Sequence, residues 1–345
     1  MPLSLVPYTG QWVTAARAFN QRLLAAQAPI DFHLAEEPSR LQHLIVDGEM
    51  VRGGCLVELE PGQVGHEAAE IASIQSPLSE GLFDPQHAGV SSWLVREVAR
   101  RWPFSYSVGM GAMDRPYPRL LRALRWKVVP VPFYFRVLNG GRFLRFMPLV
   151  SQKPGARLFG SIPLLPALAF GALHWWKAAD GGRVAGLETI AALSPQDTAA
   201  WGAVKERLTF AVSRDSAVLN TRYRDPQGRM TVARFRGGFV VLKFTHFTAD
   251  RHFGSLRVAT WADGLSEPGK EGLLVSAAEE AATALGADLL VTNQLYDPHQ
   301  RALERRGWLP HASNFLVAWS PAAAGLLDPA KCHVSRRDGD GLISL

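Results

Sequence analysis

The chain has 345 residues, 47% apolar and 20% charged, which is room for two ordinary domains and excludes a disordered or fibrous protein. A formal net charge of +6 suits an anionic coenzyme, an anionic polymer or a membrane surface, but no dense basic stripe marks a DNA binder. Two cysteines, Cys55 and Cys332, exclude a disulfide framework and a cysteine metal cluster, as expected in a reducing, cytoplasmic setting.

The N-terminal run MPLSLVPYTGQW has no basic segment leading into an apolar one, so no signal peptide is expected. Residues 49–60 and 66–76 have strand character. They lead through a loop, 77–89, to an amphipathic helix over 90–101. A strand at 104–108, a turn, a helix at 117–125 and a strand at 131–137 follow. Aromatics are dense over 126–146, where Arg142 and Arg145 alternate with Phe143 and Phe146; sealing a domain boundary is the expected role, and stacking on sugar rings or gripping an acyl chain the alternative.

Between Arg157 and Lys177 the run LFGSIPLLPALAFGALHWW is uncharged. Its length approaches a membrane span, yet Pro163, Pro166, Gly160 and Gly171 weaken a helix there. We read it as a buried linker, with membrane-surface contact through 158–176 and peripheral attachment to an inner membrane as the alternative. Strands are then predicted at 229–237, 238–248 and 253–262, followed by a loop, 263–272, and a helix, 273–285, stopped by Gly286. A strand at 288–292, a helix at 298–306 and a strand at 313–319 close the pattern. The expected domains are 1–150 and 195–322, with an apolar linker, 151–194, between them and a polar, loosely attached tail, 323–345.

The two halves repeat. At an ungapped offset of 182 residues Arg119 falls on Arg301, Leu121 on Leu303, Trp126 on Trp308 and Gly111 on Asn293. Two strand–helix–strand pieces in register imply duplicated modules. The expected fold class is α/β, with two tandem modules built on mixed sheets.

This layout resembles the GNAT (N-acetyltransferase) superfamily in a tandem, double-module form. There a loop after the fourth strand, Gln/Arg-x-x-Gly-x-Gly/Ala, binds the coenzyme A pyrophosphate. Gln86, Gly89 and Ser91 stand in that pattern in the first module, and Gly269, Lys270 and Gly272 at the equivalent place in the second, without the leading Gln or Arg. The physics is independent of the resemblance: unpaired amides at a helix N-terminus cradle phosphate, and small residues let the backbone approach. The block Arg214-Asp215 to Leu219-Asn220-Thr221-Arg222-Tyr223, together with Asn293 and Gly307-Trp308, also resembles superfamily positions, although Thr221 replaces a usual tryptophan. The resemblance implies acetyl-CoA or another acyl-CoA as co-substrate, with Asn293 among the residues that hold it. Similar double-module proteins serve bacterial cell-envelope or exopolysaccharide synthesis.

Acyl transfer to an amine needs a base, an oxyanion donor and an acid for the leaving thiolate. His246 and His252 lie near the second module's strands and could supply the base. Tyr296 follows the strand at 288–292, where it could protonate the thiolate. In the first module Glu80, beside Glu70, is placed near the expected cleft. His66 and Glu67 lack metal-ligand spacing, and no G-x-S-x-G, Walker A or G-x-G-x-x-G motif is present. The sequence therefore points to an acyl-CoA-dependent N-acyltransferase acting on a small-molecule, saccharide or envelope-linked amine, with the second module as the expected active one. An aminoacyl-tRNA-dependent transferase of cell-wall peptides and a non-catalytic tandem scaffold are the rivals.

Overall fold

The apolar–polar alternation along residues 50–79 builds a long hairpin of β3 (Met50–Val64) and β4 (Glu67–Ser79), turned at Gly65, whose φ of 67° suits a residue without a side chain. The computed structural model describes residues 2–28, 33–148, 184–223 and 229–339. The apolar stretch 158–176 lies outside them. No helix among the described residues is long and apolar enough to cross a membrane.

The chain divides into two compact units. The first comprises Met1–Pro130 and Leu316–Leu327, the second Val131–Phe315 and Asp328–Leu345. In the first, β1 (Ser4–Pro7), β2 (Gln42–Asp47), β3 and β4 run antiparallel. β5 (Ser105–Val108) then pairs parallel to β4 through Ala72–Ser105 and Ser73–Tyr106. Helix α1 (Val13–Ala25) packs Phe19 and Leu23 on Leu44, Val51 and Leu78. Helices α2 (Gly89–Arg101) and α3 (Pro116–Ala123) pack Leu94, Val98 and Leu121 on Cys55, Val57 and Ile74.

The second unit repeats this plan. β8 (Glu188–Ile190), β10 (Met230–Phe235), β11 (Gly238–His246) and β12 (Arg257–Ser266) are antiparallel, a short strand β9 (Phe210–Val212) lies between β8 and β10 in the chain, and β13 (Leu289–Asn293) joins β12 in parallel. A helix, Glu271–Ala284, links β12 to β13, and another, Asp297–Arg305, follows β13. The sequence repeat has a packing reason. Trp126 and Trp308 are buried, and each amide bonds back to the leucine five residues earlier, Leu121 or Leu303. The turn before each tryptophan is left-handed, at Arg125 (φ 64°) and Gly307 (φ 77°).

Contiguous modules of 1–150 and 195–322 differ from this division. The strand expected at 131–137, β7 (Phe133–Val137), sits between β13 and β14 (Leu309–His311) in the second sheet. The strand expected at 313–319, β15 (Leu316–Trp319), sits between β5 and β6 (Lys127–Pro130) in the first. The halves have exchanged their last strands. The tail also differs from expectation, because Cys332 through Ser335, Arg337 and Asp338 are all buried. Arg142, expected at a boundary, donates to Asp288 at 2.9 Å and covers Phe146.

Candidate functional site

In the first unit β4 and β5 pair only over two residues and then diverge. At the point of divergence β4 carries a bulge: Leu56 faces Gln75 while Gly54 faces Leu78, so Ser76 and Pro77 together oppose Cys55. Ser76 has a φ of 47°, a left-handed conformation uncommon for a residue with a side chain and here part of the bulge. The bulge reverses the pleat. Leu78 turns to α1, while Pro77 and Ser79 face α2 and α3.

The opening is a cleft of about 90 Å³. Leu78, Leu82, Ser91, Leu94, Tyr117 and Leu120 are among the residues that line it. The Ser79 and Ser91 hydroxyls hydrogen-bond across it, tying the strand end to the first turn of α2. Tyr117, in the first turn of α3, was not singled out from sequence. Its hydroxyl is buried next to Ser107, whose own proton goes to the Ile74 carbonyl (2.9 Å), and it has no well-formed bond of its own. Burial pushes the Tyr117 phenol above its ordinary range, which keeps it protonated.

The turn entering α2 is shaped for close approach. A Cβ on Gly81 would lie 2.4 Å from the His87 carbonyl oxygen, whereas one on Gly89 would meet nothing within 4 Å. Asp84 accepts from the Gln86 amide at 2.9 Å and fixes the loop, leaving the Gln86 side chain and Gly89 exposed. Glu80 lies beneath the loop and is 4% exposed. One of its oxygens takes Arg22 Nε, the other Arg52 Nη1, both at 2.8 Å. With both oxygens held by guanidinium groups, Glu80 is a tie between α1, β3 and the loop and a weak candidate for a base.

The second unit has the same frame with different contents. β12 and β13 pair from Val258–Leu289 to Trp261–Thr292, then part. A bulge leaves Ala262 unopposed, since Leu242 faces Trp261 and Val241 faces Asp263. Here the chain's own C-terminal segment enters. Leu295 N donates to Val334 O, Ser335 bridges to Gln294, and His333 Nε2 lies 3.3 Å from Gly264 O. Below them Arg214 makes a bidentate pair with Asp338 (2.7 and 2.9 Å) and reaches Asp263 (3.4 Å); all three are fully buried. Asp338, opposed by Arg214 and Arg337, is held far below the usual carboxylate range.

The second set of sequence candidates is accordingly dispersed. Tyr296 is 7% exposed, edge-on to His299 (5.1 Å between centroids) and under Val334. His246 is exposed at the end of β11, four residues or roughly 13 Å past Leu242 at the parting of the strands. His252 sits in an exposed turn. Asn293 is 1% exposed and donates to Val131 O (3.0 Å) and Ser313 Oγ (3.1 Å), a loop-holding role. Gly272 is unobstructed, but the Gly269 amide is taken by Glu271 (3.0 Å) and Lys270 by Glu267 (2.6 Å), which leaves less positive potential for an anion.

No family model matches the chain, and no curated protein matches it in sequence. Solved structures do match in fold. A GCN5-related N-acetyltransferase from Anabaena variabilis superposes with a TM-score of 0.50 at 9% identity, covering 92% of this chain and 72% of that one. N-myristoyltransferase from Saccharomyces cerevisiae, in a structure with bound myristoyl-CoA, superposes with a TM-score of 0.52 at 9% identity, covering 92% and 83%. A second structure of that enzyme, with myristoyl-CoA and inhibitors, gives 0.52 at 10% identity over 96% and 86%. The chain thus has the mixed α/β fold of these N-acyltransferase structures.

Proposed function

We propose that the chain is an N-acyltransferase that uses acetyl-CoA or another acyl-CoA, and that its first unit holds this co-substrate. The observation that carries the reading is the open parting of β4 and β5, with its bulge, its apolar cleft and the unobstructed Gly89 turn at one end. Gln86, Gly89 and Ser91 would meet the pyrophosphate, since the first amides of α2 have no partner inside the helix. The groove past Ser79 and Leu94 would take the pantetheine arm. The fold's likeness to structures holding myristoyl-CoA supports the same assignment.

The chemistry forms an amide C–N bond and breaks a C–S bond. Charge on the carbonyl oxygen would be met by backbone N–H groups of β4 freed from the ladder by the bulge. The Tyr117 hydroxyl, protonated at the wall of the cleft, would give its proton to the departing sulfur and take back the proton that the amine nitrogen sheds. Glu80 positions the loop through Arg22 and Arg52. The second unit serves as a closed scaffold, because the C-terminal segment fills the place of its cleft. This replaces the expectation from sequence that the second module is the active one. The acceptor is an amine, with a saccharide- or envelope-linked amine as the class the sequence resemblance favours.

The test is calorimetric titration of the full chain with acetyl-CoA and longer acyl-CoAs. Saturable binding, lost in Gly89→Trp and kept in Gly272→Trp, is the expected result. Binding lost in Gly272→Trp instead moves the site to the second unit, and no binding to any acyl-CoA removes the proposal.

A further inference from the structure

Helices α2 and α3 lie side by side, since both line the cleft described above. Segments 89–101 and 114–125 together carry seven arginines, no lysine and two carboxylates, Glu97 and Asp114. Their net charge of +5 compares with +6 for the whole chain. All seven arginines, Arg96, Arg100 and Arg101 on the first segment and Arg115, Arg119, Arg122 and Arg125 on the second, are exposed. Arg100 pairs with Glu97. Among the described residues the other arginines of this face have no carboxylate partner. Elsewhere Arg22, Arg52, Arg142, Arg214, Arg257 and Arg306 sit on carboxylates.

Between the C-terminal ends of α2 and α3 runs a groove of about 310 Å³. Arg96 and Arg100 stand beside a lining of Pro103, Leu124, Trp126 and Pro321. A cationic rim over an apolar floor matches a phosphate headgroup with its glycerol and acyl carbons below it. It matches a nucleic acid poorly, because the one tryptophan in the groove is 4% exposed and offers no face for a base. Guanidinium groups bind phosphate in a bidentate way and are cheaper to dehydrate than ammonium groups, which suits a lipid interface.

We infer that the arginine face of α2 and α3 docks the protein on an anionic phospholipid surface. The inference is independent of the acyl-transfer reading and of the segment 158–176. Docking places the helices that flank the cleft against the bilayer.

The test is co-sedimentation of the full chain with vesicles of phosphatidylcholine, with and without phosphatidylglycerol. The expected result is partition onto the phosphatidylglycerol vesicles alone, reversed by added salt. The triple variant Arg96→Gln, Arg119→Gln, Arg122→Gln should lower the partition roughly a hundredfold, at about 1 kcal/mol for each arginine removed. Unchanged circular dichroism and melting of the variant separate this loss from misfolding. Equal binding to pure phosphatidylcholine, or binding that survives the triple substitution, overturns the inference. So does stronger, arginine-dependent binding to double-stranded RNA than to the vesicles, which would assign the face to nucleic acid.

Discussion

The two units share one frame and use it in opposite ways. In each, the fourth strand bulges where it parts from a parallel neighbour, at Ser76 and Pro77 or at Ala262. In the first, the parting is a cleft lined by Leu78, Leu94 and Tyr117. In the second, Val334 and Ser335 fill it and a buried ion cluster anchors them. The repeat makes the contrast specific. At the offset of 182 residues Tyr117 falls on His299, so the position of an uncommitted phenol is held in the other unit by an imidazole packed 5.2 Å from His333. A strand parting left open can take a ligand; in the second unit the same place is occupied by the chain's own C-terminal segment.

The largest expected effect comes from breaking the closed side. Replacing Asp338 by Asn removes a fully buried charge from between Arg214 and Arg337 and leaves two guanidinium groups without their main counter-ion. Removing one member of a buried ion pair typically costs about 3–5 kcal/mol. Urea unfolding should show a loss of that size, while acyl-CoA affinity in calorimetry should hold wherever the variant is folded. A loss below about 1 kcal/mol would mean that the C-terminal segment is a surface feature rather than part of the core.

The open side is tested next by Tyr117→Phe, which keeps the ring and removes the proton. If the phenol protonates the departing thiolate, kcat should fall roughly a hundredfold, about 2.7 kcal/mol, with little change in acyl-CoA affinity. A fall in affinity with an unchanged kcat would make Tyr117 a wall of the cleft and nothing more.

Much of this frame was legible in the chain, and the failures share a cause. The strand character of 49–60 and 66–76 and the leucine–tryptophan repeat exposed the strands, the helices and the duplication, because those signals are local. The exchange of β7 and β15 left no trace, since apolar composition marks 133–137 and 316–319 as strands without saying which sheet each joins. The segment 332–338 reads as a solvated tail because it is rich in His, Ser, Arg and Asp; its charges are satisfied by Arg214 and Asp263, more than seventy residues away in sequence. Glu80 was visible as a residue near the cleft, but its partners Arg22 and Arg52 were not, so its commitment as an ion pair was hidden. Tyr117 was masked by the prolines around it, although the repeat register against His299 would have drawn attention to it.

Acid should separate the units by a graded effect. His299 and His333 face one another, with Arg214, Asp263, Arg337, Asp338 and Tyr296 around them. Burial is the main cause that lowers both, followed for His299 by His333 and for His333 by Arg214; His333 is lowered to about 3. Both rings are neutral in the folded protein, whereas in the unfolded chain each takes a proton near pH 6.5. Their contribution is therefore complete above that pH. It is lost as the pH falls from about 6.5 toward 3, at up to about 1.4 kcal/mol per pH unit for each ring. Asp338 adds nothing to this slope until the unfolded aspartate range near pH 4, below which its own contribution declines. In the first unit His43 is lowered in the same manner, by its partial burial. Urea unfolding at pH 7, 6 and 5 should thus show a falling stability, and His333→Gln, whatever its cost at pH 7, should flatten the fall by up to half. An unchanged slope in that variant would show that water or a proton already reaches His333 in the native state, and the second unit would then be less closed than its packing indicates.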